Sequence, residues 1–134
     1  MTPTSSPAQL APVVYRIVRH TPPVWTDFLS DRAQGLPPDP ELPVEHWDGM
    51  SVWLRRSRAR DLAKYYVRHG LAEPAYVAQV SVSAGQFRAE PSGPSHHATL
   101  WGAPAELAAA ARVLEGWGLQ VQGGERTVIR LEEE

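Results

Sequence analysis

Apolar residues along this chain fall into seven short runs of β character and three stretches at helical spacing, in the order β-α-β-α-β-β-β-α-β-β. Val13 to Val18 is rich in β-branched and aromatic residues; it places Tyr15 and Ile17 on one face, and Val14, Arg16 and Val18 on the other. A first helix is predicted next. Thr21 offers an N-cap and Pro22 a first helical position, Val24, Trp25, Phe28 and Leu29 follow at helical spacing, and Gly35 can end the element. Gln34 to His46 holds four prolines and three acidic residues, which predicts an irregular loop of a length that suits a role at a site.

Met50 to Leu54 reads as a strand, and Ser57 as the N-cap of a second helix. Its Ala59, Leu62, Ala63, Tyr66 and Val67 form the cleanest amphipathic face in the chain, with Gly70 near its end. Tyr76 to Val82 alternates well, with Tyr76, Ala78, Val80 and Val82 on one side. Phe87 to Glu90 and His97 to Trp101 read as strands on either side of the Pro91-Ser92-Gly93-Pro94 turn. Pro104 opens an alanine-rich third helix, Ala105 to Glu115. Leu119 to Gln122 and Arg126 to Leu131 then flank Gly123-Gly124-Glu125, a hairpin signal.

Composition narrows the class. A chain of 134 residues, 43% hydrophobic and 21% charged, suits one globular domain, expected over 13–134 after a loose Pro/Ser/Thr-rich tail at 1–12. No run approaches the roughly 18 apolar residues of a membrane span, and the first residues lack the pattern of a secretory signal, so a cytoplasmic protein is expected. The absence of cysteine excludes disulfides, thiolate nucleophiles and Cys-based zinc sites. A net charge of -2 argues against a dedicated nucleic-acid binder. The local exception is Arg55, Arg56, Arg58 and Arg60, whose planar forks suit phosphate groups.

Candidate chemistry is sparse. His96 and His97 are adjacent, so on a strand they point to opposite faces; without a His-x-x-x-His spacing, no metal is expected. His97 stands as a candidate ligand-binding or catalytic residue, with Glu90 as a nearby carboxylate. Arg16 lies within a strand among apolar neighbours and needs a partner or an anion. Arg19 and His20 sit where that strand ends, a place where chemistry often collects. Trp53 and Trp101 either fill the core or line a pocket, where a tryptophan can stack on a nucleobase or a nicotinamide ring. No Gly-rich phosphate loop is present, and neither a Gly-x-Ser-x-Gly motif nor a Ser/His/Asp constellation is found.

The strings Tyr15-Arg16-Ile17-Val18, Pro22-Pro23, Asp27-Phe28, Trp47-Asp48-Gly49-Met50-Ser51-Val52-Trp53, Ala59-Arg60 and His97-Ala98-Thr99-Leu100-Trp101-Gly102 resemble small uncharacterised bacterial proteins of actinobacterial type. These resemble, in turn, the ADP-ribosyltransferase-like fold. The resemblance implies an α+β single domain, with a mixed sheet and three helices, that binds NAD or a related nucleotide between the Met50 strand and the first strand. It implies Arg16 on the ribose or phosphate, Arg19 or the Arg55/Arg56 pair on the pyrophosphate, Ser51 and Trp53 against nicotinamide, and His97 or Glu90 in the third polar role. It also implies a carboxylate beside the sugar, which the sequence leaves unassigned. Transfer of ADP-ribose to a protein or nucleic acid, or hydrolysis of NAD, is the implied activity. The alternative is a non-catalytic module on the same fold that recognises a nucleotide, RNA or a protein. Assembly through the C-terminal helix and hairpin is a third reading.

Overall fold

Each of the six strand pairings in the computed structural model, which describes residues 13–82 and 86–133, is antiparallel. The strands are β1 (Val13–Val18), β2 (Met50–Trp53), β3 (Ala75–Ser81), β4 (Arg88–Pro91), β5 (His97–Trp101), β6 (Arg112–Gln122) and β7 (Glu125–Glu133), in the spatial order β4-β5-β2-β1-β3-β6-β7. Among the described residues two α-helices accompany them, α1 (Arg56–Arg68) and α2 (Pro104–Ala110). The mixed sheet with three helices is therefore corrected to an antiparallel sheet with two. The expected tail at 1–12 lies outside the described residues.

The helix expected from Thr21 is a single 3₁₀ turn, Trp25–Phe28. The buried carboxylate of Asp27 explains it. Oδ2 accepts the Val24 N–H at 3.0 Å and Oδ1 the Arg19 N–H at 2.9 Å, tying the segment back on itself instead of onward into a second turn. Phe28 is buried, whereas Trp25 is 57% exposed, so the helix-like spacing never serves a packed face. The third helix stops after Ala110, five residues early. Arg112 to Gln122 instead becomes the longest strand, paired on one side with β3 and on the other with β7. The alanines at 105 and 108–110 stay helical, and the segment from Arg112 leaves the helix to pair with β3 and β7. Gly118 favours this outcome, because a Cβ there would come within 2.9 Å of the Leu131 side chain across the hairpin. Finally, α1 begins at Arg56, which leaves Ser57 inside the first turn and not at its cap.

Alternation along the strands divides the core into two layers. Val14, Val18, Val52, Ala78, Val80, Ala98 and Leu100 face Phe28 and Leu107, under α2 and the 3₁₀ turn. Trp53, Ala75, Val77 and Trp117 face Ala59, Ala63 and Val67 of α1. Each fully buried Val, Leu or Phe contributes about 1.5–3 kcal/mol, so the two layers are the main source of stability.

The centre of the sheet is less regular. β1 and β2 meet through one residue pair, Tyr15↔Trp53, whereas β1 and β3 pair along the whole strand. On the α1 side of β2 and β5, the register brings Ser51 opposite Thr99 and Trp53 opposite His97. The loop before β2, with its own 3₁₀ turn at Val44–Asp48, closes over this part of the sheet. No helix among the described residues is long and apolar enough to cross a membrane.

Candidate functional site

His97 is placed by an unusual turn. The His97 N–H donates to the Pro94 carbonyl at 3.2 Å, and both residues between them, Ser95 and His96, have positive φ (61° and 63°). Two such residues in succession are normally glycine or asparagine. The turn reverses the chain sharply enough for Ser92 to lie against the His97 ring. Ser92 Oγ is 2.9 Å and the Ser92 carbonyl 3.2 Å from Nδ1. On the other side of the ring, Nε2 is 3.0 Å from Ser51 Oγ. Trp53 packs in a T-shaped contact with the imidazole, with ring centres 5.6 Å apart.

The polar network continues past Ser92. The Thr99 hydroxyl donates to Ser92 Oγ at 2.7 Å, and His46 Nδ1 lies 2.8 Å from Thr99 Oγ1. Ser92 and Thr99 are buried. Two imidazoles and three hydroxyls thus form one chain, Ser51-His97-Ser92-Thr99-His46. It borders a cavity of about 160 Å³, whose polar wall is Asp31, Asp39, His46, Ser51, His97 and Thr99. Leu42, Pro43, Val44, Trp47 and Met50 supply the apolar wall.

Charge at the site is dominated by acids and one half-buried cation, Arg16. Burial pushes the Asp31 carboxyl above its ordinary value, against the attraction of Arg16 and His97. Arg16 is brought down to about 10 by burial, which outweighs the attraction of Asp31 and Asp27, and it stays cationic at neutral pH. Its Nε donates to the Asp27 carbonyl at 2.8 Å and its Nη1 to the Ser51 carbonyl at 2.6 Å. The guanidinium thereby fills the gap where β1 and β2 part and ties the backbone of Ser51 in place.

Of the residues singled out from sequence, Ser51 and His97 come together in the cavity wall, with Arg16 behind them. Trp53 is 9% exposed and supports the His97 ring without lining the cavity. Arg19 is exposed and donates to the Leu71 carbonyl at 2.9 Å, away from the cavity. Glu90 stands opposite Thr99 on β4, with its carboxylate 3.2 Å from Arg88 Nε; it is not in the cavity wall. Arg56 and Arg60 are engaged by Glu115 on the same side of the sheet but outside the cavity wall. His96, in the turn, is exposed.

Sequence reasoning missed Asp31, Asp39, His46, Ser92 and Thr99. A signal existed for three of them, since Asp39 and His46 belong to the Pro-rich loop and Thr99 shares the His97 face by strand period. Asp31 and Ser92 had none. No group of three or more His, Asp or Glu that could hold a metal ion occurs among the described residues.

No protein-family model, curated protein or solved structure matches this chain.

Proposed function

We propose that the Ser51–His97 cavity binds one end of a nucleotide of the NAD class, its nicotinamide–ribose portion, and that the chain is a nucleotide-binding module. The observation that carries this reading is the make-up of the cavity wall: two carboxylates, Asp31 and Asp39, beside the Trp47 ring and two imidazoles. A nicotinamide ring joined to ribose is a flat cation, which carboxylates and an indole face attract. The hydroxyls of a sugar match the donors and acceptors of Ser51, His97 and His46.

Size limits what enters. About 160 Å³ is well below the roughly 300–1,000 Å³ of sites that engulf whole cofactors, so the pyrophosphate and adenine lie outside. Arg16, two of whose nitrogens serve backbone carbonyls, acts as a brace for Ser51 and not as a phosphate ligand.

Catalysis is the second reading, and Asp31 favours it. When NAD is bound, its nicotinamide–ribose bond is the chemistry it supplies, and a carboxylate beside the sugar is what cleavage of that bond requires. Asp31, a carboxylate of the cavity wall, is this reading's candidate for that role, which the sequence left unassigned.

Calorimetric titration with NAD, ADP-ribose and nicotinamide, alongside assay of free nicotinamide, tests both readings. The module reading predicts NAD binding that Asp31→Asn and His97→Ala weaken about tenfold or more, without turnover. Nicotinamide release abolished by Asp31→Asn establishes the catalytic reading. Absence of binding by all three compounds overturns both.

A further inference from the structure

The surroundings of His97 fix its tautomer. A carbonyl oxygen only accepts, so the ring nitrogen facing the Ser92 carbonyl at 3.2 Å, Nδ1, carries the proton. Ser92 Oγ already receives the Thr99 hydroxyl at 2.7 Å, and it accepts from the same Nδ1–H. Since the Thr99 proton is committed to Ser92, His46 Nδ1 is the donor to Thr99 Oγ1 at 2.8 Å. Nε2 of His97 is left with a bare lone pair, and the group 3.0 Å from it is the Ser51 hydroxyl, which must donate.

A hydroxyl hydrogen-bonded to an imidazole, whose other nitrogen is oriented by a third group, is the arrangement that activates serine. Orientation here is doubly enforced, by the Ser92 contacts at Nδ1 and by the T-shaped contact with Trp53. Ser51 lines the cavity, and its backbone carbonyl is held by Arg16 at 2.6 Å, so the hydroxyl is both reachable and fixed.

We infer that Ser51 is a nucleophile with His97 as its general base, and that the cavity accepts a short, uncharged carboxylic ester. Asp31 and Asp39 disfavour anionic substrates such as phosphate esters, while Leu42, Val44 and Met50 give a short acyl chain an apolar wall. Ser51 Oγ attacks the acyl carbon as its proton passes to His97 Nε2; the ester C–O bond breaks, and the alkoxide leaves with that proton. Water then attacks the acyl-serine, gives a proton to Nε2, and Ser51 departs with it. The sum is ester plus water to acid plus alcohol. This inference uses Ser51 and His97 alone and does not rest on the nucleotide reading.

The test is reaction of the folded protein with a short-chain, uncharged fluorophosphonate probe, mapped by peptide mass spectrometry, together with hydrolysis of p-nitrophenyl acetate and octanoate. The expected result is one adduct on Ser51, lost in Ser51→Ala, formed about 100-fold or more slowly in His97→Gln, and absent after heat denaturation. The acetate is hydrolysed faster than the octanoate. No adduct on the native protein, an adduct on another hydroxyl, or undiminished labelling of a folded His97→Gln overturns the inference. Where His97→Gln does not fold, the mapped adduct of the native protein decides. NAD titration is read separately, so failure of one reading leaves the other standing.

Discussion

Two buried polar clusters share the α1 side of the sheet, and they are built differently. Around Glu115, which has no exposed surface, Arg56 Nε donates at 2.6 Å, Arg60 Nε at 2.8 Å and Trp117 Nε1 at 2.9 Å. Both carboxylate oxygens are engaged, and the donors come from α1 and from β6 itself, so this cluster clips helix to sheet. Around His97 the chain of hydrogen bonds ends instead on a hydroxyl at a cavity wall. A polar group enclosed with all its partners stabilises a fold, whereas one that ends at a cavity has bonding capacity left for a ligand.

The comparison can be broken most forcefully at Glu115. Glu115→Ala leaves two cations without their buried partner and should cost about 3–5 kcal/mol in denaturant unfolding, with no change in labelling of Ser51 by the probe. The same cluster predicts a pH dependence. Burial alone would raise the Glu115 carboxyl, but the hydrogen bonds from Arg60, Arg56 and Trp117 hold it below its ordinary 4.5. The unfolded chain therefore takes up this proton first. The contribution is fully present above pH 4.5 and is lost as pH falls through the lower folded value, so Glu115→Gln should flatten the acid limb of the stability curve.

Thr99→Val removes the hydroxyl between His46 and Ser92 without changing shape. A cost of about 1–3 kcal/mol in thermal unfolding is expected, because buried partners lose their bond. Gly49→Ala should be comparable, at about 1–3 kcal/mol, since the new Cβ would collide with Thr99 Cγ2 and sit 3.0 Å from the Leu100 carbonyl. Ser51→Ala sharpens the contrast from the other side: about 1 kcal/mol or less in stability, with full loss of probe labelling. The smallest effect has the opposite sign. His96→Gly relieves a positive φ in the turn that presents His97, and should raise stability by about 0.5–1 kcal/mol, read as a higher Tm.

How much of this was legible in the sequence follows from which forces act locally. Strand positions were readable from alternation, and α1 from its apolar face, because each of those faces meets the core. The end of the third helix misled, because the fate of Arg112 to Glu115 depended on β3 and β7, partners distant in the chain. The turn at Trp25 misled for a similar reason: Asp27 closes on the backbone of Arg19 and Val24, a choice that spacing of apolar residues does not encode. At the site, Ser51 and His97 were visible as polar residues on apolar strands. Their meeting depends on the β2–β5 register and on a Ser95–His96 turn that no glycine or asparagine announces.

The central claim is that the cavity beside His97 takes a ligand while the Glu115 cluster does not. Titration of NAD and nicotinamide into isotope-labelled protein, followed through the histidine ring and tryptophan indole resonances, tests it directly. The account predicts shifts at His97, His46 and Trp47 that saturate together, with the Trp117 indole unmoved. Shifts centred on Trp117, or no shift at His97 with either compound, would contradict it.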